Sequence, residues 1–230
     1  MINQEELEMI EAREVCLKYA DGTEALKNVN VKIENGDIVY VTGPSGSGKT
    51  SLLKLFMGIE YPTSGSLTVL GQPISKGQTS GINKLRRTIG PVFQQFRLIK
   101  GRTALENVML GMRFLDFNKD EIMENSKASL KNVGLEDKIS SLVENLSWGE
   151  CQRVAIARAL ARKPALILAD EPTGNLDRDN AVRILHLLTG LKDKKTTVII
   201  TTHATHLIDG KKGDMLIHID KGSICYERLE

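Results

Sequence analysis

Residues 43–50 read GPSGSGKT and match the pattern G-x-x-x-x-G-K-[ST] in full. The preceding segment, GDIVYVTG, is a continuous apolar run bounded by glycines, which predicts a strand buried on both faces of a parallel sheet. The following segment, TSLLKLFMG, predicts a helix that ends at Gly58. A strand, a glycine-rich loop and a helix in this order restrict the chain to an α/β fold with a mainly parallel sheet.

The chemistry of this loop points to a nucleotide. Glycines let backbone N–H groups curl around phosphate oxygens, and the start of the following helix adds the positive end of its dipole. Lys49 is placed to reach the β- and γ-phosphates, and the Thr50 hydroxyl is a suitable Mg²⁺ ligand. The alternative is a Gly/Ser-rich surface turn, which the full match and the flanking elements disfavour. The loop residues predicted to contact the nucleotide are Gly43, Pro44, Ser45, Gly46, Ser47, Gly48, Lys49, Thr50 and Ser51.

Two later segments repeat the buried-strand pattern, PALILAD at 164–170 and TTVIITTH at 196–203. The helical pattern DNAVRILHLLTGL lies between them, so strand, helix and strand form a right-handed crossover unit. Where the first of these strands ends, Asp170 is placed to hold Mg²⁺ and Glu171 to orient and polarise an attacking water. A pair of acids that caps the next helix is the alternative. The phosphate loop in the same chain favours the catalytic interpretation.

The rest of the chain divides into an antiparallel and a helical part. Residues 13–19 and 25–33 alternate apolar and polar positions around a turn, which predicts an antiparallel strand pair. The middle of the chain carries helical patterns and no convincing strand. The expected parts of this single domain, 1–230, are a nucleotide-binding core with its antiparallel part at 1–99 and 163–230, and an inserted helical subdomain at 100–162.

The segment ENLSWGECQRVAIARAL, residues 144–160, holds the only tryptophan of the chain. Ser147 and Glu150 have the spacing of a capping box, in which the serine hydroxyl accepts from the first helical turn and the glutamate reaches back to the Ser147 N–H. The run rich in Ala, Leu and Arg that follows favours a helix. A capped helix start is therefore the direct interpretation of this segment.

Charge and cysteine content restrict the function classes. The chain has 31 Lys plus Arg against 29 Asp plus Glu, so a nucleic-acid-binding surface is not indicated. Cys16, Cys151 and Cys225 are far apart and lack metal-ligand spacing, which favours a reducing compartment. The acidic N-terminal stretch lacks the features of a signal peptide, and no segment has the apolar length of a membrane span. We expect a chain that is soluble alone, which leaves a membrane partner open.

Five motifs occur in order along the chain: GPSGSGKT, VFQQF, LSWGE, ILADEPTGNLD and TTH. In this combination the chain resembles the nucleotide-binding subunit of ATP-binding-cassette (ABC) transporters, over nearly all of its 230 residues. The resemblance implies a RecA-like P-loop core with a mainly parallel sheet, an N-terminal antiparallel β subdomain and an inserted α-helical subdomain. It also implies ATP and Mg²⁺ as cofactors, ATPase activity and a homodimer in the ATP-bound state.

The resemblance assigns roles residue by residue. Gln94 becomes the loop glutamine that senses Mg²⁺ and the attacking water, and His203 the switch histidine at the γ-phosphate. Asp177 becomes the residue that communicates across the dimer, and Tyr19 the aromatic that stacks on adenine. The respective alternatives are a polar loop residue, a structural histidine, a helix N-cap and a plain strand aromatic. The implied catalytic set is Glu171, His203, Gln94 and Lys49, and the implied Mg²⁺ ligands are Thr50, Gln94 and Asp170.

In this family the segment at 146–150 is the signature motif, normally Leu-Ser-Gly-Gly-Gln. The resemblance places Ser147, Gly149 and Glu150 at the nucleotide, with Ser147 and Gly149 facing the γ-phosphate held by the other protomer. Trp148 and Glu150 depart from the usual Gly and Gln. Ala204 departs from the usual Asp after the switch histidine. The resemblance places Trp148 at the dimer interface that forms only with ATP.

Two copies of such a chain would sandwich two MgATP molecules, and hydrolysis at Glu171 would reopen them. The surface near Gln94, with Phe96 and Leu98, would transmit closure to an integral membrane permease-like subunit; internal packing of the two apolar side chains is the alternative. The motifs ALENV, LRRTIG and ADEPTGNLD are most similar to the branch that serves lipoprotein release, macrolide and peptide efflux, and bacterial cell division. We expect a cytoplasmic protein, peripheral on the inner face of the cell membrane, with no nucleic-acid partner.

Other P-loop classes leave features of the sequence unexplained. A GTPase requires a guanine-reading Asn-Lys-x-Asp element, and the nearest string, NKDE at 118–121, ends in Glu and opens a helical stretch. A P-loop kinase gives no role to the 146–150 segment. A soluble ABC ATPase without a membrane partner stays open as an alternative. Such proteins resemble tandem cassettes or carry coiled-coil insertions, whereas this chain has one cassette and no heptad run.

Overall fold

The structure is a computed structural model of the chain. It describes residues 9–191, 196–208, 210 and 212–229. The chain divides into two compact units, Met1–Arg86 with Lys192–Glu230 and Arg87–Leu191. Each unit is described by itself below.

The described residues form ten strands and six α-helices. The strands are β1 (Ile10–Lys18), β2 (Glu24–Ile33), β3 (Ile38–Thr42), β4 (Ser64–Val69), β5 (Gln72–Pro73), β6 (Ile89–Val92), β7 (Leu166–Asp170), β8 (Thr197–Thr202), β9 (Met215–Asp220) and β10 (Ser223–Arg228). The α-helices are α1 (Lys49–Phe56), α2 (Thr79–Thr88), α3 (Ala104–Leu110), α4 (Lys119–Asn132), α5 (Trp148–Leu160) and α6 (Arg178–Thr189). Short 3₁₀ helices cover Glu136–Lys138, Val143–Asn145 and Thr205–Leu207.

An antiparallel sheet in the first unit has the strand order β2-β1-β4-β5. Ile10 pairs with Ile33, and Leu17 pairs with Leu26. All four of these side chains are buried, as expected where alternating apolar positions cover one face of a sheet. A register shift follows Ala12, close to Glu14, whose φ of 51° is typical of a bulge. The antiparallel pair predicted from the sequence is confirmed.

Parallel pairing in the first unit centres on β3, which lies between β8 and β9 and runs parallel to both. β10 pairs with β9 in the antiparallel direction. Every residue of β3 and β8 is buried, which confirms the strands predicted from their continuous apolar runs. The helix predicted after the glycine-rich loop is also confirmed: α1 buries Leu52, Leu53, Leu55 and Phe56. It stops just before Gly58, whose φ of 61° is the left-handed conformation that commonly follows a helix end.

The second unit combines one parallel strand pair with helices. β6 and β7 pair in parallel, Val92 opposite Ala169. The helices α3, α4 and α5 pack on one another, and each begins with a complete capping box: Thr103 with Glu106, Asn118 with Glu121, and Ser147 with Glu150. Residues 100–162 are all described and contain no strand, only an isolated bridge between Thr103 and Leu142. The helical patterns are thus confirmed, and the subdomain boundaries stay a prediction.

The fold is α/β, as the sequence predicts, with an antiparallel sheet, mainly parallel pairing of the buried strands and a group of helices. In the first unit the glycine-rich loop follows β3. In the second unit the acidic residues follow β7, and the 146–150 segment begins α5. Each functional motif therefore lies where a buried element ends or begins.

Candidate functional site

The glycine-rich loop in the first unit needs its glycines for two reasons. Gly43, Gly46 and Gly48 have φ values of 144°, 75° and 117°, which side-chain-bearing residues rarely adopt. A Cβ atom on Gly43 would lie 2.2 Å from the carbonyl oxygen of Ile219, and one on Gly48 would lie 2.6 Å from that of Ala25. Neighbouring backbone therefore approaches the loop too closely for any side chain at these two positions.

Two side chains of the loop fit a phosphate ligand. Lys49 is buried, and its Nζ donates to the carbonyl oxygens of Gly43 at 2.9 Å and Pro44 at 3.0 Å, so its charge is held over the loop. The Ser47 hydroxyl is buried and has no hydrogen-bond partner among the described residues. Leaving a buried hydroxyl unsatisfied costs about 1–3 kcal/mol. Phosphate oxygens would accept from it, so the residues present are suited to a nucleotide phosphate.

Tyr19 follows β1 and lies against the first turn of α1. Its hydroxyl is 3.0 Å from Ser51 Oγ, and the ammonium group of Lys54 lies 6.0 Å from its ring centroid. The side chain is half-buried, so part of its surface can contact a ligand. The structure places Tyr19 beside the end of the glycine-rich loop, within the same unit.

His203 and the glycine-rich loop begin at the same edge of the parallel sheet. Thr42 of β3 pairs with Thr202 of β8, so Gly43 and His203 both come directly after the paired residues. His203 is exposed. The next residue, Ala204, donates its backbone N–H to Thr202 Oγ1 at 3.0 Å. This hydrogen bond closes the turn that carries His203 although the usual aspartate is absent.

Gln94 and Glu171 meet in the second unit. Gln94 Nε2 donates to Glu171 Oε2 at 3.4 Å. Asp170 ends β7 and is half-buried. Glu171 has φ 42°, a left-handed conformation that costs a non-glycine residue about 1–2 kcal/mol. Such strain is concentrated at functional sites, and here it occurs at the residue whose carboxylate accepts from the Gln94 amide.

The 146–150 segment has the predicted cap. Ser147 is the N-cap of α5: its Oγ accepts from Glu150 N at 3.3 Å, and its N–H donates to Glu150 Oε2 at 2.8 Å. This backbone hydrogen bond lowers the pKa of Glu150, with smaller contributions from the Ser147 side chain and nearby cations. Ser147 is exposed and Gly149 is buried. A Cβ on Gly149 would approach the Asn180 side chain to 3.3 Å, so the glycine makes room for α6.

Asp177 is a helix N-cap, which was the alternative to its role across a dimer. Its Oδ1 accepts from Asn180 N at 2.9 Å, and its Oδ2 accepts from Asn180 Nδ2 at 2.6 Å. These hydrogen bonds, the backbone one first, lower the pKa of the Asp177 carboxyl. The side chain is exposed. A cap that is fully formed within one chain leaves the role across the dimer as a proposal.

Trp148 is 60% exposed and contacts Phe96. The ring centroids are 5.1 Å apart, with an interplanar angle of 65°. The two rings border a groove of about 470 Å³ in the second unit. The other residues that line this groove are Gln95, Arg97, Leu98, Lys100, Val143, Glu144, Cys151 and Asn175.

Arg158 is a site residue that the sequence analysis missed. It lies on α5, and its guanidinium donates to the Phe96 carbonyl at 2.6 Å and to the Arg97 carbonyl at 2.7 Å. Burial, and then repulsion from Arg162 and Arg97, lowers the pKa of Arg158 to about 10. The signal in the sequence is an arginine within the Ala-rich run RVAIARAL. A charged side chain in such a run requires acceptors, here the backbone of the Gln94 loop.

Comparisons with known proteins agree with these features. Residues 26–174 match the family described as ABC transporter. The chain is 43% identical over 220 residues to the uncharacterized ABC transporter ATP-binding protein MJ1508 of Methanocaldococcus jannaschii, over 94% of this chain and 97% of that protein. It is 36% identical over 218 residues to the cell division ATP-binding protein FtsE of Streptococcus pneumoniae, over 95% and 94% of the two chains.

Solved structures give the same result. The dimeric structure of the ATP-binding cassette MJ0796, in a post-hydrolysis state with ADP and Pi, matches with a TM-score of 0.85 and 35% identity, over 96% of this chain and 99% of that one. None of the helices in the described residues is long and apolar enough to cross a membrane. The chain therefore belongs to the ABC transporter family, as one of its ATP-binding cassettes.

Proposed function

We propose that the chain is the ATP-hydrolysing subunit of an ABC transporter-type membrane complex. Two copies close around two MgATP molecules and drive a conformational change in a membrane partner. One observation carries the hydrolytic part of this proposal: the Gln94 amide reaches the Glu171 carboxylate at the ends of two paired parallel strands. A carboxylate held by an amide at the edge of a sheet is suited to accept a proton from water.

The phosphate end of ATP is assigned to the glycine-rich loop. Lys49, now bound to two loop carbonyls, supplies the positive charge, and the buried Ser47 hydroxyl supplies a donor without a competing partner among the described residues. Mg²⁺, when bound, would neutralise charge on the phosphates. The oxygen ligands that the family resemblance implies, Thr50, Gln94 and Asp170, are kept in this proposal. Tyr19 is assigned to the adenine ring and His203 to the γ-phosphate.

Glu171 is assigned as the general base. Because the Gln94 amide donates to Oε2, that oxygen is already engaged, and the rotation of the carboxylate is limited. The Glu171 carboxylate is assigned to accept the proton of the attacking water. A general base of this kind accelerates proton transfer about 10²–10⁴-fold.

The exposed start of α5 is assigned to a second copy of the chain. Ser147 is exposed at the N-terminus of a 13-residue helix, where the helix dipole favours a negative group. Gly149 and Glu150 belong to the same turn, and Asp177 is exposed at the start of α6. The dimeric state of the MJ0796 cassette supports this assignment.

The groove beside Phe96 is assigned to the membrane partner. Phe96 and Leu98 are both half-buried, so each packs partly within the chain and keeps some apolar surface. A helix of the partner that fills the groove would bury this remaining surface. The 36% sequence identity to FtsE, a cell division ATP-binding protein, supports the branch that serves division, lipoprotein release and efflux. The chain then works in the cytoplasm, peripheral on the inner face of the membrane.

The partner can be tested by affinity capture. A tagged Glu171→Gln chain is purified in detergent with ATP and Mg²⁺, and the retained membrane proteins are identified by mass spectrometry. The same variant without nucleotide is the control. Retention of a protein with few spans and a large extracytoplasmic domain supports the proposed branch, and a permease with many spans assigns the chain to solute transport. If a trapped dimer forms and retains no membrane protein, the soluble ABC ATPase becomes the better conclusion.

A further inference from the structure

The contact between Trp148 and Phe96 links the start of α5 to the loop that carries Gln94. The rings meet edge to face, with their centroids 5.1 Å apart. Trp148 is the first residue of α5, and Phe96 comes two residues after Gln94. Glycine, the usual residue of the signature motif at this position, has no side chain with which to make this contact. The contact is thus a property of this chain's own departure from the motif.

α5 holds the same loop at a second place. Arg158, near the C-terminal end of α5, donates to the carbonyl oxygens of Phe96 and Arg97. Arg97 has a left-handed φ of 50°, and its guanidinium lies 3.9 Å from the ring centroid of Phe93. Arg158 therefore anchors the loop at the Phe96 and Arg97 carbonyl groups, and Trp148 contacts the loop at the Phe96 side chain.

We infer that Trp148 is a positioning residue for Gln94: its ring fixes Phe96, and through Phe96 it holds the loop in the arrangement in which the Gln94 amide reaches Glu171. This inference rests on the proposed function, in which Gln94 and Glu171 serve hydrolysis. Because Phe96 lies only two residues from Gln94, at most about 7 Å of extended chain, we expect a shift of Phe96 to displace the Gln94 amide. An amide at 3.4 Å from its acceptor has little margin before the hydrogen bond is broken.

Steady-state ATP hydrolysis tests the inference, with variants measured at saturating protein and ATP concentrations. Trp148→Gly should lower kcat by about three- to tenfold, the range that an aromatic pair provides. The KM for ATP should stay within about twofold, because the glycine-rich loop is unchanged. Trp148→Phe should retain most of the wild-type kcat, since it keeps an aromatic ring against Phe96. In a Gln94→Ala background, Trp148→Gly should have no further effect on kcat.

These results separate positioning from other roles of Trp148. If Trp148→Gly lowers kcat equally in the wild-type and Gln94→Ala backgrounds, Trp148 does not act through Gln94, and the inference is wrong. If Trp148→Gly only raises the protein concentration needed for half-maximal activity, Trp148 is a dimer contact and the inference is also wrong. A wild-type chain that does not hydrolyse ATP overturns the proposed function and the inference together. Wild-type turnover with an unchanged Trp148→Gly variant overturns the inference alone.

Tryptophan fluorescence tests the contact independently of activity. Trp148 is the only tryptophan, so the emission spectrum reports its surroundings directly. Phe96→Leu removes the ring but keeps apolar bulk, and it should shift the emission to longer wavelength as the indole becomes more hydrated. Gln94→Ala lies on the same loop and should leave the emission unchanged. Identical spectra for wild type and Phe96→Leu would show that the rings do not meet in solution.

Discussion

Gln94 Nε2 lies 3.4 Å from Glu171 Oε2, although the two residues are 77 positions apart in the chain. The register of two parallel strands explains this proximity. Val92 of β6 pairs with Ala169 of β7, and Gln94 and Glu171 each come two residues after the paired position. Glu171 has a left-handed φ of 42° at this point. The sheet register thus positions the proposed general base.

Loss of the Gln94 amide should slow hydrolysis without weakening ATP binding. Gln94→Ala removes the donor to Oε2, so we expect kcat to fall about 100-fold, the lower end of the range for proton-transfer catalysis. The affinity for ATP measured without Mg²⁺ should change less than about threefold, because the residue makes no contribution to the glycine-rich loop. Phosphate release and equilibrium nucleotide binding measure the two quantities. Gln95→Ala, at the adjacent exposed position, is the matched control and should retain wild-type kcat.

Two glycines of the phosphate loop should differ sharply in their tolerance of alanine. Gly48→Ala places a Cβ 2.6 Å from the Ala25 carbonyl oxygen at φ 117°, so we expect a loss of about 2–4 kcal/mol in the free energy of unfolding. Gly46→Ala has φ 75° and no atom within 4 Å of the added Cβ, so only the backbone strain of about 1 kcal/mol applies. Denaturant unfolding compares the two variants. Equal destabilisation would contradict the described packing of the loop.

The Tyr19 ring, rather than its hydroxyl, should carry the contact with the base. Tyr19→Ala should weaken ATP binding about 10-fold, since stacking of a base on an aromatic ring contributes about 1–3 kcal/mol. Tyr19→Phe removes only the hydrogen bond to Ser51 and should bind within about threefold of wild type. Isothermal titration calorimetry measures the affinity of both variants for ATP and for GTP. A comparable loss in Tyr19→Phe would assign the role to the hydroxyl and contradict the stacking.

The charge of Glu150 should add to the stability of the α5 capping box only while this residue is ionised. Its folded-state pKa is lowered from 4.5, chiefly by the Ser147 backbone N–H, so this contribution is present above pH 4.5 and is lost as the pH falls through the folded-state value. Glu150→Gln keeps the acceptor without the charge, and we expect it to be about 0.3–1 kcal/mol less stable at pH 7. The difference from wild type should disappear as the pH falls below 4.5.

Chemical unfolding at a series of pH values between 7 and 3.5 tests the capping prediction. Glu124→Gln, at an exposed position of α4, is the control for loss of one negative charge. A Glu150→Gln penalty that persists unchanged at the lowest pH would show that the charge of Glu150 is not its source.

Elements with a clean pattern could be predicted from the sequence. β3, β7 and β8 are continuous apolar runs, as expected of strands buried on both faces. β1 and β2 alternate apolar and polar residues, as expected of strands buried on one face. β6 was missed because its four residues, IGPV, include Gly90 and Pro91, which normally argue against a strand. The β9–β10 hairpin also lacks a prediction from the sequence. Lys221 and Gly222 both have positive φ, the geometry of a two-residue hairpin turn.

The candidate site could also be predicted only in part: its residues, but not the contacts between them. Motif spacing identifies which residues carry the chemistry, because a phosphate loop or a capping box is local in the chain. The pairs that hold those residues are not local: Phe96 meets Trp148, and Gln94 meets Glu171, only through the packing and strand register of the second unit. The periodic pattern of apolar residues in a sequence does not indicate a contact between residues this far apart in the chain. The same applies to Arg158, whose acceptors lie in a loop about 60 residues earlier in the chain.

The most direct test is the mass and turnover of the Glu171→Gln variant with ATP and Mg²⁺. Light scattering after size exclusion gives the mass, and phosphate release gives the rate; Glu124→Gln is the matched control. We predict ATP binding near the wild-type level, a kcat lowered at least about 100-fold, and a stable species of twice the monomer mass that forms only with ATP. Hydrolysis at the wild-type rate, or a monomer under all conditions, would contradict the proposal that Glu171 drives the opening of an ATP-closed dimer.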